Sequence, residues 1–419
     1  MMTYTYRKAK SEEREQCIEL ANYVFSTAHR PHDFETLIPK VYGEGRDCAP
    51  LHLAAVREDG RFRAEVAVLP EQLHVCGQTL NAGFIGTVCV HPKERGAGHM
   101  KRLMHDTLKE LKSACDLAVL DGQRQRYEYF GFSRGSLEAV YKLHETNIRH
   151  KEKELRLNDY TFQPVPLKNP AAGMVPDGSA SGDSLRHVSG AAEQSLPFIT
   201  YAARANQTRP LFVERPQNLI LPTLCSFQGQ PVAIRKGDQL SGYLVLAADD
   251  EISELFLEDD RQAASVLGSY LRQQGLPELH IHLPLHQKET CAAVGALAET
   301  EQTVQPPSRM FRIFSFEKVL SAFLSLQAEI RPLTPGRLEL WIDSSPLTVT
   351  CDGSKVRTEQ TASPGAVHLT AFQAQELFLS GSMLAGRIPA SIPEALREHL
   401  RIPQGWFPLP LFWYPADTF

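Results

Sequence analysis

Residues Val88–Lys101, VCVHPKERGAGHMK, hold the residue types best suited to chemistry in this chain. An apolar β-type run ends in a basic, glycine-rich turn, and the turn opens an amphipathic helix. Such a turn can bind a pyrophosphate. Gly96 and Gly98 lack side chains, so backbone N–H groups there can approach an anion closely. The helix after the turn offers unsatisfied N–H groups and a dipole that favours negative charge at its start. No Gly-Lys-Ser/Thr closes the turn, which excludes a Walker A loop. Gly-x-Gly-x-x-Gly is missing too, which excludes a Rossmann fingerprint.

The elements that must position this turn read as an α/β unit over residues 1–147. YTYRKA starts a strand, and Ser11 caps a helix with Glu12, Glu13 and Glu15 in its first turns. Leu51–Val56 and Phe62–Leu69 read as paired strands around Glu58-Asp59-Gly60. Gly83–Val90 delivers the turn. In the helix His99–Ser113, the residues Met100, Leu103, Met104, Leu108 and Leu111 share one face. A strand Leu117–Leu120, a short helix around Tyr127 and a last strand near Leu137–Leu143 complete the unit.

Val88, Val90, Pro92, Gly96 and Gly98 resemble the coenzyme A-binding motif of the GNAT N-acetyltransferases, a Val-x-Val-x-Pro strand end followed by Arg/Gln-x-x-Gly-x-Gly/Ala. Lys93 stands where Arg or Gln is usual, and Arg95 can supply the guanidinium. The segment RYEYFGF resembles that family's Tyr-x-x-x-Gly-Phe, with Tyr127 four residues before Gly131. The resemblance implies that Tyr127 protonates the leaving thiolate of coenzyme A. Tyr129 is the neighbouring competitor at the wrong spacing. Cys89 lies within the cofactor strand without an assigned His partner, so it reads as a backbone contributor and transfer reads as direct.

Beyond this unit the order of elements repeats. Residues 148–303 give strands at Gln230–Lys236, Leu240–Ala247, Ile252–Leu257 and Leu279–Leu283, with a helix Arg261–Gln274. That helix opens through EDDRQAAS, which is acidic and has no glycine, so pyrophosphate is not expected there. Residues 163–194 are rich in Pro, Gly, Ala and Ser and read as a mobile loop. Residues 304–419 suggest helices at Val319–Leu326, Phe372–Ser380 and Pro393–Leu400. Strands are suggested there at Arg337–Ile342, Pro346–Cys351 and Ala366–Thr370.

Three such units in this order resemble the Eis (enhanced intracellular survival) family. The implied fold class is α/β (α+β): two tandem GNAT folds, the second degenerate, then a sterol carrier protein-like domain. The resemblance implies acetyl-CoA as cosubstrate, held by Val88, Cys89, Val90, Arg95, Gly96, Ala97, Gly98, His99, Met100, Lys101, Gly122 and Gln123. Gly96 and Ala97 stand where family members often have arginines, which weakens the charge contribution and leaves the backbone donors. It also implies that the terminal carboxylate on Phe419 acts as general base. The tail supports this, since Trp406, Phe407, Leu409, Leu411, Phe412, Trp413 and Tyr414 make it apolar and suited to packing. The acceptor implied is a cationic small-molecule amine, aminoglycoside-like or lysine-type, and a homo-oligomer is implied as well. The competing reading is a lipid- or ligand-binding protein with a dormant transferase unit. Intact Gly96, Gly98 and Tyr127 argue against dormancy.

Composition narrows the setting. A chain of 419 residues allows about two to four domains. With 42% apolar and 22% charged residues it reads as soluble and globular. A net charge of −5 gives no general reason to bind nucleic acid or anionic membrane. No membrane span and no signal peptide are read, and the eight scattered cysteines read as reduced cytoplasmic thiols. His280, His282 and His286 could suggest zinc, but no Cys or carboxylate is tied to them in sequence. A polar strand face is expected there, and no metal.

Overall fold

The computed structural model describes residues 3–28, 30–165 and 184–419, which form a mixed α/β architecture on three sheets. The first sheet contains β1 (Tyr4–Lys8), β2 (His52–Arg57), β3 (Phe62–Val75), β4 (Gln78–Val90), β5 (Leu117–Asp121) and β6 (Ser133–Arg134). The second contains β7 (Glu138–His144) and β8 (Tyr160–Pro164), while β9 (Leu211–Val213) pairs with β3 of the first. Also in the second are β10 (Gln230–Lys236), β11 (Gln239–Ala248), β12 (Glu251–Leu257), β13 (Glu278–Pro284) and β14 (Thr300–Val304). β15 (Arg309–Ile313) returns to the first sheet. The third sheet is β16 (Gly336–Ile342), β17 (Ser345–Cys351), β18 (Val356–Glu359) and β19 (Val367–Leu369).

In the first sheet β1 to β4 form antiparallel pairs, and the helix His99–Ala114 carries the chain from β4 to a parallel partner, β5. A parallel pair needs such a crossover. Pairing of β4 with β5 runs only from Ala82–Leu117 to Ile85–Leu120. Beyond it, the end of β4 leaves β5. The two faces of the sheet are buried differently. Leu103, Met104 and Leu108 pack with Leu53, Val66 and Ile85 on one side. On the other, Phe84, Val119 and Phe311 share a core with Phe323, Phe378 and Trp406 of the C-terminal unit.

Two strands change places relative to the sequence expectation. β7, expected to finish the first unit, pairs with β13 and β14 in the second sheet. β15, which falls within residues 304–419, inserts between β5 and β6 in the first. The alternating burial of Ala139, Tyr141 and Leu143 marks a strand with one buried face and does not say which sheet receives it.

The second sheet repeats the parallel pair. β12 and β13 pair through Glu251–His280 and Ile252–Ile281, joined by the helix Ala263–Gln274. The turn before that helix is capped by Asp259, whose carboxylate accepts the N–H of Arg261. Part of the Pro/Gly/Ser-rich stretch expected as a loop lies outside the described residues, and its end forms the helix Ser184–Gln207. In the third unit the expected helix Pro393–Leu400 shortens to Glu394–Arg397.

Candidate active site

Where β4 leaves β5, a cleft of ≈ 870 Å³ opens. Its floor is Val88, Cys89 and Val90. Arg95, Gly96, Gly98, His99, Met100, Lys101 and Gln123 line it as well. Ala97 is exposed in the same turn. Gly96 and Gly98 sit at φ +86 and +84, a region that L side chains rarely adopt, and among the described residues nothing beyond the adjoining chain lies within 4 Å of a Cβ built on either. The turn is therefore an open backbone cradle. Gly98 caps a 16-residue helix with no acidic residue in its first turn, so the helix dipole favours an anion there. These features fit a pyrophosphate. His99 turns inward: its Nδ1 lies 2.9 Å from the Tyr6 hydroxyl, and burial lowers its pKa against the opposing pull of Glu94.

The floor strand carries a bulge. Its register with β3 shifts between Glu65–Cys89 and Ala67–Gly86, which leaves one extra residue on β4. Thr87 takes φ +49 at this point, and its Oγ1 lies 2.6 Å from the Tyr42 hydroxyl.

Tyr127 is 6% exposed and does not line the cleft. Its ring lies against Gly122, where a Cβ would stand 2.2 Å from Tyr127 Cε2. Burial raises the phenol pKa and neighbouring Arg126 partly opposes this, so the group is protonated at neutral pH. Tyr129 is 59% exposed, lines the cleft and lies 5.1 Å beneath the Lys101 ammonium.

The C-terminal segment is packed. Trp406, Phe407, Leu409, Leu411, Phe412, Trp413 and Tyr414 are buried. Polar contacts hold the backbone of the last few residues. Lys40 Nζ donates to Ala416 O at 3.0 Å, and Arg309 donates to Trp413 O at 3.0 Å and to Thr418 Oγ1 at 2.9 Å. Phe419 reaches β4 directly below the bulge. Its main-chain oxygen is 2.7 Å from the position a Gly86 Cβ would occupy, and its ring centroid is 6.0 Å from that of Tyr42.

Sequence reasoning missed several participants. Val24, Phe25 and Ala28 also line the cleft, and their apolar character carries no signal beyond a helix face. Thr87 has no left-handed signature, since a bulge here could be suspected only from the adjacent Gly86. Asp33 and Glu35 are engaged locally, Asp33 as a helix cap and Glu35 in an ion pair with Arg14 at 2.9 Å. The His280 and His282 face is polar and, unlike the sequence reading, rich in carboxylates: Glu278 lies 3.2 Å from His280 and Glu138 3.3 Å from His282. His286 is separate and buried beside Tyr414.

Residues 5–135 match the family model described as "Acetyltransferase (GNAT) domain". No curated protein matches the sequence. Among solved structures, a GCN5-related N-acetyltransferase from Anabaena variabilis is 16% identical, covers 100% of both chains and has a TM-score of 0.60. A conserved protein from Enterococcus faecalis, described as a probable N-acyltransferase, is 17% identical over 90% of each chain, with a TM-score of 0.57. Eis1 from Mycobacterium abscessus is 14% identical over 94% of this chain and 95% of its own, with a TM-score of 0.56. Residues 5–135 thus carry an acetyltransferase domain of the GNAT type, within a chain whose fold is shared along its length by these proteins.

Proposed function

We propose that the chain is an acetyl-CoA-dependent N-acetyltransferase of the Eis type that acts on a cationic small-molecule or lysine-type amine. Val88, Cys89 and Val90 present backbone groups along the pantetheine path, and the Arg95–Lys101 turn receives the pyrophosphate. A neutral amine attacks the thioester carbonyl, so a C–N bond forms and the C–S bond breaks. The Phe419 carboxylate accepts the proton of the attacking amine. Tyr127 gives its proton to the departing thiolate. Backbone N–H near Val90 polarises the carbonyl as charge develops on its oxygen.

The observation that carries this reading is that one strand serves two features. The end of β4 leads into the glycine cradle, and Phe419 abuts the same strand at Gly86. Tyr127 lies outside the cleft lining, so its role requires its hydroxyl to meet the thiolate from behind the exposed wall. The third unit is read as sterol carrier protein-like.

The test is a thiol-release assay with acetyl-CoA and a panel of aminoglycosides, polyamines and lysine-type amines. Release dependent on the amine, with the acetylated amine recovered by mass spectrometry, is expected. Tight acetyl-CoA binding with no release for any amine would instead favour a dormant transferase unit.

A further inference from the structure

A buried cluster lies beneath the cleft strand, and the chemistry above does not use it. Cys17 on the helix Arg14–Ala28, His52 on β2 and Glu65 on β3 are each 0% exposed. Their ligand atoms all lie within 4.8 Å of one another. His52 Nδ1 stands 3.0 Å from Glu65 Oε2. Cys89 Sγ, from β4, stands 3.5 Å from Glu65 Oε1. Glu65 has no lysine or arginine at ion-pair distance among the described residues. A carboxylate removed from water needs a cation or a full set of donors to offset its lost hydration.

We propose that Cys17, His52, Glu65 and Cys89 form a closed structural site for a divalent metal ion, zinc being the ion this donor set suits. Thiolate, imidazole and carboxylate are zinc ligands, and four protein ligands with no open position mark a structural site. Ligands about 2.0–2.3 Å from a tetrahedral ion stand about 3.3–3.8 Å apart, so shifts of about an ångström bring Cys17, His52 and Glu65 to an ion. Cys89 Sγ, near Glu65 but outside that group of three, must swing further to complete the shell. The outer shell is in place. His52 Nε2 lies 3.2 Å from the Tyr42 hydroxyl, which in turn lies 2.6 Å from Thr87 Oγ1. A ligating imidazole is commonly oriented by such a bond on its other nitrogen. The chain of contacts runs from the cluster to the bulge in the cleft floor. The ion joins the first helix, β2, β3 and β4 under the cleft. Cys89 serves this site through its side chain, which leaves its backbone to the cleft. On binding, the thiols release their protons to solvent.

The test starts with the full chain purified without chelator from zinc-supplemented cells. Mass-spectrometric metal analysis should find about one zinc ion per chain, and less than about one-tenth overturns the proposal. Location is read with protein produced in cobalt. Thiolate-to-cobalt charge-transfer absorption is expected in the wild type, should weaken in Cys17→Ser and in Cys89→Ser, and should be lost when both are replaced. The partly exposed cluster of Asp250, Glu278 and His280 has no thiol, so stoichiometric metal without that absorption also overturns the proposal. Both wild-type readings stand whether or not the variants fold, and neither depends on transferase activity.

Discussion

Arg215 grips Asp417 through two hydrogen bonds, Nε to Oδ1 at 2.7 Å and Nη2 to Oδ2 at 2.9 Å, with both side chains 2% exposed. The same guanidinium holds Glu254 on β12 with two contacts of 2.9 Å. The second sheet therefore fixes the residue two positions before Phe419. The second sheet can thus serve the first unit by holding its tail.

Asp417→Ala removes one carboxylate and leaves Arg215 half-paired in a buried site. A loss of about 3 kcal/mol in stability is expected, read by denaturant unfolding. Turnover in the folded variant should fall about tenfold or more, with acetyl-CoA affinity unchanged, because the tail loses its anchor. Unchanged turnover would show that the tail's position does not matter to transfer.

Gly122 offers a test of how Tyr127 is positioned. A methyl group there meets the Tyr127 ring at 2.2 Å, so Gly122→Ala must displace the ring or the strand end. Turnover should drop by about tenfold or more while the fold survives, since a small misplacement of a reacting group is costly. Kinetics beside a circular dichroism melt would separate the two effects. Wild-type turnover would exclude any need for this ring placement.

The two tyrosines can be told apart directly. Tyr127→Phe keeps the buried ring and removes only the hydroxyl, so acetyl-CoA affinity should hold and turnover fall on the order of 10²-fold. Tyr129→Phe leaves an exposed aromatic beneath Lys101 and should change turnover little. A larger defect in Tyr129→Phe, the residue that lines the cleft, would transfer the acid role to it.

The sequence made the cradle legible because glycine spacing and helix periodicity are local. Gly96, Gly98 and the helix His99–Ala114 stand where the pattern puts them. The limits of β10 stand as read, and those of β11 to β13 fall within one residue of the reading. The long-range pairings escaped. Nothing near Leu137 says that its strand leaves the first sheet, and nothing near Arg309 says that its strand returns. The tail's apolar character showed that it packs. Its polar anchors, Lys40, Arg215 and Arg309, are distant in sequence and look like ordinary surface charges until the fold buries them. The His52–Glu65 pair is hidden for the same reason, since the two residues lie on different strands.

Glu71 makes stability depend on pH. Burial raises its carboxyl from the ordinary 4.5 to about 8, with Lys40 pulling the other way. The folded state therefore favours the protonated acid. Its contribution is fully present below the unfolded value of 4.5 and is lost as pH rises through about 8. Relative to Glu71→Gln, wild-type stability should decline across that window, as measured by thermal melts at several pH values. Parallel curves for the two proteins would contradict the shift.

The chain end gives the sharpest test of the proposed mechanism. Phe419 is 6% exposed, and its main-chain oxygen sits against Gly86. If its carboxylate takes the amine proton, appending one or two residues moves that charge and fills the space the amine must enter. Extended protein should fold, bind acetyl-CoA with unchanged affinity and fail in transfer. A tag at the other end should be harmless. Phe419→Ala tests something else, because it keeps a carboxylate and removes the ring that packs near Tyr42. A partial loss of turnover is expected there, since the carboxylate is held less firmly. Calorimetry with acetyl-CoA and thiol release with the amine panel read the two properties separately. Full transfer by a folded, C-terminally extended protein would remove Phe419 from the mechanism and send the search for the base to a water chain or an acidic residue of the first unit.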